Sequence, residues 1–252
     1  MKPVNDNAQG LLALRLSAHL PFGRSEHELL SGLPWRMEEM SARHTFIREG
    51  DTPKHSCLIV RGIVVRTQYT ADGQRQILSV HIPGDMPDLQ SLHIRRMDHD
   101  IETVSAARIA FVGHDDLRRL CDASAPMAAA LWRESLIDAA LFRAAIFRNA
   151  QLGAEARLAH FLCEMQMRHG AVELVGEDGF EFPMSQELIG EVLGLTVVSI
   201  NKAAQALRAQ HLIRMEKGRV VVLDWDGLVR FGEFDGSFLH MEQQQRPLAA
   251  AG

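Results

Sequence analysis

Five cations and one anion fall between Thr196 and Val220: Lys202, Arg208, Arg214, Lys217 and Arg219 against Glu216. The chain as a whole carries a formal charge of −5. This stretch is therefore a basic patch in an acidic protein, the local balance that a phosphate-facing surface needs. Charge alone would equally suit a solvated helix face, but the residues beside the patch are more specific. Val197, Val198, Asn201 and Lys202 occupy the first turns after Thr196. On a helix lying in a major groove, Asn201 can pair bidentately with adenine and Lys202 can reach guanine or a phosphate. The two valines can offer only apolar contact, for example to a thymine methyl. The hydroxyls of Ser185, Thr196 and Ser199, with Gln186 beside the first of them, are placed to meet phosphates, and Lys217 and Arg219 add cations further along.

Those side chains need two short helices held at a fixed angle, and residues 183–213 supply them. Ser185 can cap a helix over 186–193, Gly194 permits the tight turn after it, and Thr196 can cap a second helix running to about Ala209. Leu188, Ile189, Val192, Leu195, Ile200, Ala203, Ala204 and Leu207 give the apolar faces that join the two. The run LIRMEKGRVVVL, from Leu212 on, reads as a strand, a Lys-Gly turn and a second strand, a β-hairpin wing.

Upstream, short β-type runs alternate with turn signals from about Met37 to Val112. Asp72-Gly73 predicts a hairpin turn, and Gly50, Gly62 and Gly84 sit where a backbone would turn a barrel corner. The spacing predicts an antiparallel sandwich or barrel. Residues 11–34 read as helical, with Ser25 as a cap and Glu28 three residues later. From Ala125 to Asn149 the apolar residues fall around nearly the whole helical circumference, so the helix must be buried on more than one face. A second copy of the same helix is the simplest partner for the second face, with Leu131, Leu136, Ile137, Leu141 and Ala144 as candidate contacts. A central helix in a monomer is the alternative. A further helix over 153–169 ends at His169-Gly170, and residues 171–182 read as strand, turn and strand. The expected division is 1–124, a sensing barrel with N-terminal helices; 125–150, a dimerisation helix; 151–239, a winged helix-turn-helix; and 240–252, a flexible tail.

Composition excludes some classes. No run approaches the ~18 apolar residues of a membrane span, and residues 1–10 hold no apolar signal core, so the expectation is a cytoplasmic protein with no membrane partner. Cys57, Cys121 and Cys163 form no CxxC pair and read as reduced thiols, although the Arg118-Arg119 pair before Cys121 could lower its pKa. His81, His93, His99 and His114 lie in the barrel half at spacings that match no tight metal-ligand motif.

Taken in order, these segments resemble the CRP/FNR family, the cyclic-AMP receptor protein and its relatives. The resemblance rests on Glu49-Gly50-Asp51, LIVRGIVV at 58–65, DGQRQILSVHIPGD at 72–85, the long helix, and SQELIGEVLGLTVVSINKAAQALRAQHLI at 185–213. It implies an α+β chain: an N-terminal cyclic-nucleotide-binding-like β-barrel (a double-stranded β-helix), a long dimerisation helix and a C-terminal winged helix-turn-helix. It also implies a homodimeric transcription regulator of double-stranded DNA, with RNA polymerase as a further partner and half-sites one helical turn, ~34 Å, apart. The chain departs from the family in two places. Val197, Val198 and Lys202 stand where the family usually carries a polar pair ending in glutamate and, one turn on, an arginine. In the sensor, Gly84, Asp85, Asp88 and Leu89 hold the expected pocket turn, but the phosphate-binding arginine position falls near Asp100, and a carboxylate there repels a phosphate. No cyclic nucleotide is expected. Residues 1–56 hold no cysteine, so no iron–sulfur cluster is expected, and no other cofactor or metal is implied.

The reading is therefore a regulator, not an enzyme, whose barrel senses an unidentified signal or acts without an effector. Two alternatives stand beside it. One is a signal-binding or interaction module with decayed DNA recognition, which the two valines would suit. The other is a metal-dependent cupin-type barrel enzyme, which would need converging histidines, and no H-x-H pair occurs in the barrel half.

Overall fold

The computed structural model describes residues 7–19 and 22–241; Pro21 and the expected tail from residue 242 lie outside them. Two helices lead in, α1 (Ala8–Ser17) and α2 (Arg24–Ser31). The cap of α2 is Gly23, whose amide donates to Glu26 at 3.0 Å, and not the expected Ser25 with Glu28. Seven strands follow: β1 (Arg36–Met40), β2 (Thr45–Ile47), β3 (His55–Arg61), β4 (Val64–Tyr69), β5 (Arg75–His81), β6 (Asp100–Thr103) and β7 (Ala107–Gly113). After them come α3 (His114–Ala123), which the sequence reading did not anticipate, and α4 (Ala125–Gln151). The C-terminal half holds α5 (Ala154–Ala171), β8 (Phe180–Glu181), α6 (Gln186–Leu193), α7 (Val197–Ala209), β9 (Ile213–Glu216), β10 (Arg219–Val222) and α8 (Trp225–Phe231). The strand expected at residues 171–174 does not form. Instead α5 runs to Ala171, and the amide of Leu174 folds back to the carbonyl of His169 at 2.9 Å. The chain forms two compact units, and the boundary falls after Asp138, inside α4.

In the first unit the strands make two antiparallel sheets, ordered β1-β7-β3 and β2-β6-β4-β5. They share one core in which Met40, Ile47, Cys57, Ile59, Val64, Ile101 and Ile109 pack together. Hydrogen bonding does not join the two sheets into a closed barrel. The chain crosses from one to the other at Gly62, where φ is 91°. Gly50 and Gly84 also lie in the left-handed region, at the expected corners.

Buried charge organises this unit. Arg15 of α1 is almost fully buried, 2.9 Å from Glu134 of α4 and 3.6 Å from Asp85 in the turn after β5. Burial opposes the Arg15 charge, but Glu134 and Asp85 outweigh it and raise its pKa. His19 lies 3.2 Å from the same Glu134, and His81 lies 3.7 Å from Asp85. A second arginine, Arg66 of β4, donates to Asp138 at 2.7 Å and to the carbonyl of Pro87 at 2.8 Å. Asp88 is fully buried and accepts the Cys57 amide at 2.7 Å. Burial pushes Asp88 up to about 7 and pushes His81 down to about 4.

One face of α4 buries Met127, Ala130, Leu131, Ile137 and Ala140. On another, Ala129, Trp132, Leu136, Ala139, Arg143, Ile146 and Ala150 are all exposed. Their spacing alternates between three and four, the 3.5-residue period of a coiled-coil seam. Of the five residues expected to mediate dimer contact, only Leu136 lies on this stripe. Leu131 and Ile137 are buried within the chain, and Leu141 and Ala144 are half-buried. A helix that is apolar all round does not reveal in sequence which face its own chain covers.

Removing one partner of a buried ion pair strands the other, so Arg15→Ala should cost about 3–5 kcal/mol, read by urea unfolding of the barrel. A loss under about 1 kcal/mol would mean that Glu134 and Asp85 do not depend on it. The pH dependence has two opposing parts. Asp88 takes up a proton on folding between its ordinary value of 3.8 and about 7, so stability from this group is lost as pH rises through 7. His81 stays neutral in the fold between about 4 and its ordinary 6.5, so stability falls as pH drops through that window. Asp88→Asn abolishes the first part alone. Its stability relative to the unsubstituted chain should improve between pH 5 and pH 8, and a constant or falling difference would contradict the assignment.

Candidate nucleic-acid interface and sensor pocket

The helical pair forms as its local sequence dictates. The hydroxyl of Ser185 accepts the Leu188 amide at 3.2 Å and starts α6. Gly194 ends it in the left-handed conformation, with φ at 63°. The hydroxyl of Thr196 accepts the Ser199 amide at 3.2 Å and starts α7, and it also shares a hydrogen bond with the Ser199 hydroxyl at 3.0 Å. Each oxygen satisfies a helix-end amide that would otherwise be unpaired. The turn folds back so closely on α6 that a Cβ at Gly190 would meet the Leu195 carbonyl oxygen at 2.6 Å. Only glycine fits there without displacing the turn that joins the two helices.

The rest of this unit fixes the pair in place. Ile200, Ala203, Ala204 and Leu207 of α7 are buried, and Phe161, Phe180 and Phe182 lie in the same unit with ring centroids about 6 Å apart. Arg157 donates to the carbonyls of Leu193, at 2.8 Å, and Leu152, and Asn149 donates to Val192 at 3.0 Å. These groups place a cation and a donor on the last carbonyls of α6, where the helix dipole favours them. Below lies a buried cluster in which Glu164 bridges Arg148, at 2.8 Å, and Arg168, at 2.9 Å.

The opposite face of α7 is open. Val197, Val198 and Lys202 are exposed, and so are Gln205 and Arg208, which continue the same surface and were not singled out from sequence. Asn201, Ser199 and Gln186 are half-buried, and Ser185 and Thr196 are exposed. β9 and β10 pair in register from Ile213–Val222 to Glu216–Arg219, and β8 adds to β10 as a third strand. Lys217 and Gly218 both have positive φ, 51° and 72°, the backbone of a tight two-residue hairpin. Lys217 stands exposed at its tip. Arg219, expected among the DNA-contacting cations, is instead engaged by its own unit. Its guanidinium donates to the carbonyls of Asp178 and Gly179, both at 3.1 Å, and lies 3.6 Å from Glu181.

In the first unit, Gly84, Asp85, Asp88 and Leu89 cluster as expected around the turn after β5, all buried. Asp100 begins β6 and accepts the Glu49 amide at 2.6 Å. Arg95 and Arg96 are exposed. Among the described residues of this unit the buried arginines are Arg15 and Arg66, and both face carboxylates. Three aspartates and two neutralised arginines do not fit the cyclic phosphate of a nucleotide, which needs an uncommitted cation.

His81 and His114 bond to the hydroxyls of Ser79 and Ser91, and His99 faces Asp98. Among the described residues no group of three or more metal-ligating side chains converges. Burial raises the pKa of Cys57, Cys121 and Cys163, and Asp122 adds to the rise at Cys121. The arginines before Cys121 do not activate it, since Arg118 pairs with Asp115 and Arg119 with Asp116.

Known proteins share this arrangement. Residues 37–124 match the cyclic nucleotide-binding domain model, and residues 156–231 match the Crp-like helix-turn-helix domain model. The anaerobic regulatory protein of Haemophilus influenzae is 23% identical over 83% of this chain and 82% of its own length. The transcriptional activator protein FnrA of Stutzerimonas stutzeri is 25% identical over 83% of this chain and 85% of its own. Among solved structures, FixK2 from Bradyrhizobium japonicum matches with a TM-score of 0.71 at 22% identity, covering 79% of this chain and 98% of FixK2. With a sensor-type β domain, a long helix and a capped helix-turn-helix with its wing in the order those relatives share, the chain belongs to the CRP/FNR family of transcription regulators.

Proposed function

We propose that the chain binds a two-fold symmetric DNA operator as a homodimer formed along α4, and that it regulates by this binding and not by catalysis. The observation that carries the reading is the exposed face of α7, where Val197, Val198, Lys202, Gln205 and Arg208 stand clear of the unit's own core beside the half-buried Asn201. Lys202 and Asn201 reach base edges, while Ser185, Thr196, Gln186 and the wing residue Lys217 meet the backbone. The exposed stripe on α4 supports the dimer. Two copies would bury Trp132, Leu136 and Ile146 against each other, and Arg143 within the seam would fix register at some cost in stability. This seam makes 125–150 the dimerisation segment between a sensing part, 1–124, and a reading part, 151–239. Among the described residues no helix is long and apolar enough to cross a membrane, and the proposed place of action is the cytoplasm, with RNA polymerase met on promoter DNA. No nucleotide is assigned to the barrel, whose charged interior suits either effector-independent action or a ligand that is not a cyclic nucleotide.

Selection of random DNA by the purified chain at fixed salt tests the reading; a palindromic motif with half-sites about 34 Å apart is expected. Lys202→Ala should weaken operator binding. A lysine on guanine gives a loss of roughly 5- to 150-fold confined to one base position; a lysine on phosphate gives a uniform loss and a salt slope shallower by about one ion. Unchanged affinity at low and high salt would place the reading surface elsewhere. Ile146→Glu puts like charges at the seam, so it should sediment as a monomer where the unsubstituted chain is dimeric and lose at least ten-fold in operator affinity. A variant that stays dimeric would rule out this seam.

A further inference from the structure

The first two residues of α7 are valines, and neither belongs to the buried core. Val198 is 63% exposed and Val197 44%, while the apolar side of the same helix buries Ile200, Ala203, Ala204 and Leu207. Valine is a poor helix former at an open position, since its branched side chain loses freedom without packing in return. Further along α7, Lys202, Gln205 and Arg208 are exposed, and Lys217 is exposed on the wing. Such a surface attracts a polyanion, yet at its leading edge it presents two groups that neither donate nor accept a hydrogen bond.

A major-groove edge presents acceptors at guanine, donors and acceptors at adenine, a donor at cytosine, and one apolar group, the C5-methyl of thymine. A valine pressed on the first three removes water from polar atoms and leaves them unpaired, which is unfavourable. Pressed on the methyl, it buries apolar surface at both partners. We propose that Val198, flanked by Val197, is a specificity-determining residue that selects thymine in the operator half-site through its methyl group and rejects cytosine, whose amine it cannot answer. The proposal rests on the reading of α7 as the base-contacting helix. Asn201 lies three residues beyond Val198, within reach of the adjoining step, where it would favour adenine.

The test uses the full chain and the operator recovered by selection. Each thymine is replaced in turn by deoxyuridine, which lacks only the methyl group, and affinity is measured at one salt concentration. At one or two positions per half-site the change should cost about four-fold per methyl removed. Val198→Ala should abolish that sensitivity at one of them. The fold should survive, because the side chain is exposed and alanine suits a helix better. Where cytosine replaces the sensitive thymine, 5-methylcytosine should bind better than cytosine. If every thymine tolerates deoxyuridine, or if Val198→Ala leaves the sensitivity intact, the proposal is overturned while operator binding stands. If the chain binds DNA with no sequence preference, the base-reading role of α7 fails, and the proposal fails with it.

Discussion

A charge taken out of water must be answered by another, and in the first unit that requirement decides what belongs together. Arg15 is buried with Glu134 and Asp85 facing it, and its charge in turn offsets the cost of burying those carboxylates. A leading helix, a turn after β5 and a turn of α4 are thereby made one structure. Arg66 repeats the device with Asp138. Such pairs add little net stability compared with apolar packing, but they tolerate few alternative arrangements. They also shape what the sensor can bind. An anion entering beside Arg15 or Arg66 would have to compete with carboxylates already in place.

The second unit uses the same principle further from its working surface. Glu164 holds Arg148 and Arg168 in the interior, and Arg157 and Asn149 reach up to the last carbonyls of α6. With Gly190 making room for the turn at Leu195, the helical pair is held by residues away from the exposed face of α7. The exposed face of α7 is free of structural duty. Val198 and Lys202 contribute nothing to the core, so single substitutions there leave the scaffold intact. The departure from the family's usual polar pair is a change of this kind.

The legible features are those whose cause lies within a few residues. Ser185, Gly194 and Thr196 announce the two helices because caps and left-handed turns are local. The Lys217-Gly218 hairpin and the corners at Gly50, Gly62 and Gly84 are legible for the same reason. What escaped depends on distant partners. β1, with the sequence RMEEM, has too few apolar residues to signal a strand and is held by its pairing with β7. Arg219 looks like a free cation until β8, forty residues back, folds against it. The exposed stripe of α4 is hidden because alanine and leucine occur on every side, and only the packed structure separates Leu131 and Ile137 from Trp132 and Ile146.

The span between Arg15 and Glu134 is 119 residues. Synthesis runs from the N-terminus, so α1 emerges with its arginine and waits while every strand of the barrel is made. Only when α4 leaves the ribosome does the last carboxylate arrive. Contacts so distant along the chain carry a high loop-closure cost and form late. The sensor unit therefore cannot be completed as a nascent barrel. Until Glu134 is made, Arg15 lacks one of the two carboxylates that face it, and a chain that stops before α4 lacks that half of the pairing.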